Sequence, residues 1–187
     1  MANKITTKNI SKKNQENKIN PMSSILIDKV VINIGTGNIE ENQSNAKQLL
    51  EIITNKKPAN ELSKTRNPSF KISKGQKIGA FVTIRNKDIK PLLTKLFDAV
   101  NFTINPKSIS INSLSFGIKE YIDIPNVKYN PKIGMIGMNV NISFKRRGFR
   151  VKLRKIKNAK ISKKHGIISI NDIQNYLKEN YNVSMAE

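Results

Sequence analysis

His165 is the only histidine in the 187 residues, and the chain has no cysteine. A zinc site needs three or four His, Cys or carboxylate ligands at fixed spacing, and a triad needs a nucleophile, a base and an orienting group. His165 lies instead in Lys163-Lys164-His165-Gly166, where it reads as one more member of a basic surface. Gly35-Thr36-Gly37 follows an apolar run and precedes a helical one, the place of a dinucleotide fingerprint. The full G-x-G-x-x-G pattern would need Gly at position 40. That residue is Glu40, whose charge opposes a pyrophosphate, and there is no GK[ST] phosphate loop. The expectation is a tight strand-to-helix turn; an α/β enzyme that holds a nucleotide phosphate on this turn is the competing reading. Glu40-Glu41 suits a helix N-terminus electrostatically. Glu120 and Asp123 flank Tyr121 with nothing nearby to complete an acid–base pair. No catalytic residue, cofactor or metal ligand is expected.

What the chain does have is charge. Lys and Arg number 34 against 13 Asp and Glu, a net charge of +21 with an isoelectric point near 10.2. Codon bias in an AT-rich genome accounts for Lys over Arg and for the many Asn and Ile residues, but not for scarce acids. Such a surplus opposes compaction, and a polyanion that neutralises it is the natural partner. The surplus is also clustered. No acid falls between Glu61 and Asp88, and none between Asp123 and Asp172, a stretch with thirteen Lys or Arg. Clustering favours a binding surface over a uniformly solvated one. Phe70 beside Lys71, and Phe149 within Lys145-Arg146-Arg147-Gly148-Phe149-Arg150, add aromatic rings that either stack on bases or pack. The first twenty residues hold no apolar run fit for a signal-peptide core, and no stretch approaches the ~20 apolar residues of a membrane span. An intracellular, cytoplasmic protein with no membrane partner is expected. A peripheral membrane protein held by polybasic segments would need an amphipathic helix with basic flanks.

The elements that must carry these residues follow from periodicity. With 37% hydrophobic residues the chain can bury a core. Residues 1–18 read as a flexible basic extension and 19–187 as a single RNA-binding domain. ILIDKVVINI predicts a strand over Ile25–Ile34. Ala46, Leu49, Leu50 and Ile53 recur at helical spacing within Glu41–Thr54, a helix that Asn55-Lys56-Lys57-Pro58 stops. A short strand over Ala59–Thr65, a basic loop and a strand over Lys77–Arg85 predict a hairpin with a projecting tip. A helix over Ile89–Val100 has Asp88 as its N-cap and Pro91 in its first turn. Phe102–Asn112 reads as irregular, Ser113–Ile118 and Ile133–Phe144 as strands, and Arg146–Lys164 as part strand, part loop. A last helix covers Asn171–Asn180, with Ser169 and Asp172 as a capping box. The fold class is α+β: a mainly antiparallel sheet with helices on one face, a two-layer sandwich whose other face is left free for RNA.

Three stretches, NPMSSILIDKVVINIGTG (Asn20–Gly37), FKISKGQKIGAFVTIR (Phe70–Arg85) and SFGIKEYIDIPNVKYNPKIGMIGMNV (Ser115–Val140), together resemble the universal large-subunit ribosomal protein five, the 5S-rRNA-binding family. RRGFRV followed by a basic tail favours its archaeal and eukaryotic form. The resemblance covers about residues 19–183. It implies the sandwich fold, attachment of 5S rRNA in the central protuberance beside large-subunit rRNA and neighbouring ribosomal proteins, and a ribosome-bound life. Family 5S contacts map to Asn33, Lys56, Thr83 and Arg85. The loop of about Lys64–Lys77, with Lys64, Arg66, Phe70, Lys71 and Lys74, resembles the family loop that reaches the P-site tRNA. Lys145, Arg146, Arg147, Arg150 and Arg154 are expected as further rRNA contacts. Two departures are visible: Lys56 where bacterial members often have Gln, and Asn86 where Gly often follows the Arg.

Overall fold

The computed structural model describes residues 20–85 and 88–186. The expected extension over residues 1–18 and the altered turn at Asn86 lie outside the described residues. Among the described residues, eight strands and five helices alternate along the chain: β1 (Ile25–Gly35), α1 (Glu40–Thr54), β2 (Ala59–Leu62), β3 (Lys77–Ile84), α2 (Ile89–Asp98), β4 (Thr103–Ile104), β5 (Ile109–Ser110), β6 (Ser113–Ile118), β7 (Met138–Arg146), α3 (Arg150–Leu153), α4 (Lys163–Gly166), α5 (Ile170–Tyr181) and β8 (Ser184–Met185). Six strands form one sheet in the order β2-β3-β1-β7-β6-β5, every neighbouring pair antiparallel. β4 and β8 form a separate two-residue parallel pair.

Side-chain alternation decides which face of the sheet is covered. Val30, Ile32 and Ile34 of β1, Ala80, Val82 and Ile84 of β3, and Met138, Val140, Ile142 and Phe144 of β7 are buried. Onto them pack Ala46, Leu49 and Leu50 of α1, Leu92, Leu93, Leu96 and Phe97 of α2, and Ile173, Leu177 and Tyr181 of α5. Removing one such side chain from water contributes ~1.5–3 kcal/mol. Phe97 joins the layers, stacked on Phe116 of β6 at 5.5 Å and edge-on to Tyr181 at 5.3 Å. Burial, and secondarily Tyr176, pushes the Tyr181 hydroxyl up to about 12, so it stays neutral. Among the described residues, the apolar faces of the long helices are thus committed to the core and not free for a membrane surface. None of the described helices is long and apolar enough to cross a membrane.

Several boundaries differ from the sequence reading, each for a local reason. β7 begins at Met138 rather than Ile133. Ile133 and Gly134 both donate to the Asn130 carbonyl in a turn, and Gly134 has a φ of 73°. Asp88 does not cap α2: it is itself helical and makes no cap hydrogen bond, because its carboxylate accepts from Lys56 Nζ at 2.6 Å. Ser169 does cap α5, its Oγ accepting from Asp172 N at 3.2 Å. The capping box is only half closed, since Asp172 turns its carboxylate to Arg146. The stretch Arg146–Lys164, read as part strand and part loop, holds the one-turn helix α3 and the start of α4. Phe102–Asn112, read as irregular, holds β4 and β5. Two-residue strands leave no periodicity to detect.

The end of the β1–β3 pairing depends on close backbone approach at Gly79. A Cβ there would lie 2.4 Å from the Ile34 carbonyl oxygen, which β1–β3 pairing fixes in place. Gly79→Ala is therefore expected to lower stability by ~1–3 kcal/mol, as overpacking against rigid structure does. Chemical denaturation measures it; an unchanged midpoint would contradict the packing.

Candidate nucleic-acid interface

The three long helices α1, α2 and α5 pack on one side, and the outward positions of the central strands are exposed or only partly buried. Cross-strand register builds this face row by row. Phe81, Asn33, Asn139 and Gly117 form one row across β3, β1, β7 and β6. Thr83, Val31, Asn141 and Ser115 form the next. Asn141 Nδ2 donates to Asn33 Oδ1 at 3.3 Å across the β1–β7 seam. Asn33 and Thr83, which the family resemblance supplied, lie on this face; Asn139, Asn141 and Ser143 share it and were not among the expected contacts. The signal for them was present, since they are the complement of the apolar alternation Met138, Val140, Ile142, Phe144.

Cations gather beyond the two ends of this face. At one end, the N-terminus of β1 and C-terminus of β7, lie Lys29, Lys145 and the segment that carries Arg147, Arg150 and Arg154. Arg85 leaves β3 at that same end, and Lys56 stands near it through Asp88. At the other end, where β1 finishes and β3 starts, lies the loop between β2 and β3 with Lys64, Arg66, Lys71 and Lys74, all exposed. The eleven residues of β1 separate the two groups by on the order of 30 Å.

Both basic groups are structured. In the β2–β3 loop, Asn67 and Ile72 exchange backbone hydrogen bonds at 2.9 and 3.0 Å, closing a one-turn 3-10 helix over Pro68–Phe70. Lys71 takes a left-handed conformation at φ 55° and donates back to Pro68 O. Ser63 N donates to Gln76 O, and Gln76 Nε2 reaches Asn38 Oδ1, tying the loop base to the turn before α1. Phe70 stands 70% exposed on this small scaffold. At the other end, Asn112 holds the chain on both sides of Ile167: its Nδ2 donates to Gly166 O at 2.9 Å and its Oδ1 accepts from Ile168 N at 2.7 Å. His165 Nε2 lies 2.8 Å from the Arg147 carbonyl, a hydrogen bond within the basic segment. Phe149 is partly buried, with Lys152 Nζ 5.6 Å from its ring centroid, so it packs rather than projects.

Individual cations differ in freedom. Arg147, Arg150 and Arg154 are exposed, although Arg154 Nε donates to Lys157 O at 2.7 Å. Lys145 pairs with Asp28 at 2.6 Å, and Asp28 is the extra residue where the β1–β7 register shifts. Arg146 faces the helices, its Nη2 2.9 Å from Asp172 Oδ2 and its side chain only 20% exposed. It is set apart from its neighbours in sequence by strand alternation.

The glycine turn offers no phosphate cradle. Thr36 N and Gly37 N both donate to Ile78 O, at 3.0 and 3.1 Å, and two glutamates occupy the first turn of α1. The donors that a phosphate would need are already engaged by β3.

The family model for ribosomal protein L5 matches residues 20–72, and the model for the C-terminus of that same ribosomal family matches residues 77–170. The chain belongs to the ribosomal protein L5 family. Relatives described as large ribosomal subunit protein uL5 include those of Methanobrevibacter smithii, 38% identical over 89% of this chain and 98% of the relative, and Sulfurisphaera tokodaii, 39% identical over 90% and 96%. That of Picrophilus torridus is 41% identical over 89% and 95%. These relatives are archaeal, in keeping with the branch that RRGFRV indicated. The family is structural and non-enzymatic, a component of the large ribosomal subunit, and its members are therefore ribosome-bound.

The placement of Arg146 separates stability from binding. Arg146→Ala is expected to lower stability by ~0.2–1 kcal/mol through loss of the Asp172 pair, the range for exposed ion pairs. Arg147→Ala should leave stability unchanged and reduce the salt dependence of RNA binding. Thermal melts and a salt titration of RNA binding check both; the reverse pattern would contradict the orientation.

Proposed function

We propose that this chain binds 5S rRNA through the open sheet face and the cations at its β1 N-terminal end, and so helps attach that RNA in the central protuberance of the large subunit. The observation that carries this reading is a polar sheet face left uncovered by all three long helices, with basic clusters beyond both ends. Asn33 and Thr83 occupy the middle of the face; Arg85 and Lys56 stand at its edge beside β3. Lys56 is tied to Asp88, but an exposed pair of this kind holds by only ~0.2–1 kcal/mol. A phosphate can therefore take the ammonium from the carboxylate at little cost. Arg147, Arg150 and Arg154 extend the same end toward large-subunit rRNA, and neighbouring ribosomal proteins complete the surroundings.

The β2–β3 loop is assigned to the P-site tRNA. Its position at the far end of β1 allows a second RNA to be met without competing for the face. Lys64, Arg66, Lys71 and Lys74 supply phosphate contacts, and Phe70 supplies an exposed ring. Contacts of this kind position an RNA without reading its sequence, as a surface serving every tRNA requires.

Filter binding of 5S rRNA and of random RNA of equal length, at moderate salt, tests the proposal. Preference for 5S rRNA is expected, with affinity falling steeply as salt rises. Arg85→Ala should weaken binding and make the log–log salt slope shallower by about 0.7–0.9, one phosphate contact. Equal binding of the two RNAs would overturn the reading.

A further inference from the structure

Eight Lys or Arg, and no acid, fall within the fifteen residues Arg150–Lys164. Like charges at this density repel, and an unrestrained segment spreads to separate them. Packing does little to hold these residues together. None of them is buried, and Leu153 and Ile156 stand 73% and 79% exposed. The two arms of the loop are joined by Ala159 N, which donates to Val151 O at 3.4 Å.

The firmer restraint lies at the neck of the loop. There the Arg147 carbonyl is 2.8 Å from His165 Nε2, and Phe149 lies against Gly166, where an added Cβ would be 3.9 Å from Phe149 Cε2. Asn112 fastens this neck to the sheet. It occupies the two-residue turn between β5 and β6 at a φ of 60°, a left-handed conformation that Asn tolerates. Its carbonyl accepts from Phe144 N of β7 at 2.8 Å. Its Nδ2 donates to Gly166 O at 2.9 Å, and its Oδ1 accepts from Ile168 N at 2.7 Å. The clamp thus uses a donor and an acceptor on one short side chain; an ionised Asp would lack the donor. Just past the neck the chain enters the core at Ile168, 1% exposed.

We propose that Asn112 is a positioning residue for RNA binding: its amide, with the His165–Arg147 bond, clamps the neck of the basic loop so that the loop's cations are gathered before RNA is met. The inference rests on the RNA binding proposed above and adds how the loop contributes affinity. A preformed loop spares the complex the ordering entropy that a free segment would impose on binding. Asn112 is uncharged and partly buried, so it acts through the loop and not as a phosphate contact.

The test compares the full-length protein with two variants, well below the melting temperature of each. Asn112→Gly keeps the left-handed turn and removes the amide. His165→Ala opens the neck from its exposed side and leaves the turn intact. Without RNA, trypsin is expected to cut between Arg150 and Lys164 several-fold faster in either variant, as mapped by mass spectrometry. Binding to protein-free large-subunit rRNA, 5S rRNA included, should weaken on the order of tenfold. The log–log salt slope should not change, because the same cations reach the same phosphates in the final complex. A merely structural role would lower the melting temperature without producing this split; should Asn112→Gly lower it, His165→Ala carries the test. Equal cutting rates, a shallower salt slope, or undiminished affinity in a variant that melts like the unsubstituted protein would overturn the inference while sparing the broader reading. Failure of the unsubstituted protein to prefer 5S rRNA to random RNA would remove both.

Discussion

Like-charge repulsion is the constraint under which this chain folds, and the structure answers it by geometry more than by pairing. Among the described residues three side-chain ion pairs form, Lys56–Asp88, Lys145–Asp28 and Arg146–Asp172. The cations that flank the open face fall into two groups separated by the length of β1, beyond the Debye length of ~8 Å at physiological ionic strength. Repulsion between the groups is therefore screened, while within each group the cations stay close enough to act together on one polyanion. Between them, the outward positions of β1, β3, β6 and β7 are uncharged.

A second consequence concerns what holds each basic group in place. Neither relies on an apolar core of its own. The β2–β3 loop is closed by backbone exchange between Asn67 and Ile72 and tied at its base by Gln76 to Asn38. The Arg147–Lys164 segment is returned to the sheet by the amide of Asn112 and the ring of His165. The lone histidine thus contributes to architecture. Leu153 and Ile156 remain 73% and 79% exposed on the segment, a measure of how little of it the rest of the chain covers.

Much of this was legible in the sequence because burial leaves periodic traces. The β1 run, the α1 stripe Ala46-Leu49-Leu50 and the α2 stripe Leu92-Leu93-Leu96-Phe97 each carry the period of their element, and all three formed close to the expected bounds. Misreadings came where a competing local interaction won. Asp88 has the side chain of an N-cap, but a cation from α1's C-terminal turn takes its carboxylate. Ile133 and Ile136 look like a strand start, yet Pro131, Gly134 and Gly137 bend the chain until Met138. Arg146 and Arg147 are adjacent and equally charged, and only the strand's alternation sends one to the helices and the other to solvent. The neutral amides of the open face were overlooked for a different reason. Clustered cations mark the ends of this face in the sequence, whereas its uncharged middle carries no such mark.

The central claim is that the uncovered face of the sheet, not its helical side, meets the RNA. Hydroxyl-radical footprinting of the protein with and without 5S rRNA tests it directly. Phe81 and Val31 lie on the open face, and Ile52 is exposed on α1. The account predicts that bound RNA shields Phe81 and Val31 from oxidation and leaves Ile52 as reactive as in the free protein. Protection of Ile52 with Phe81 and Val31 unchanged would contradict it.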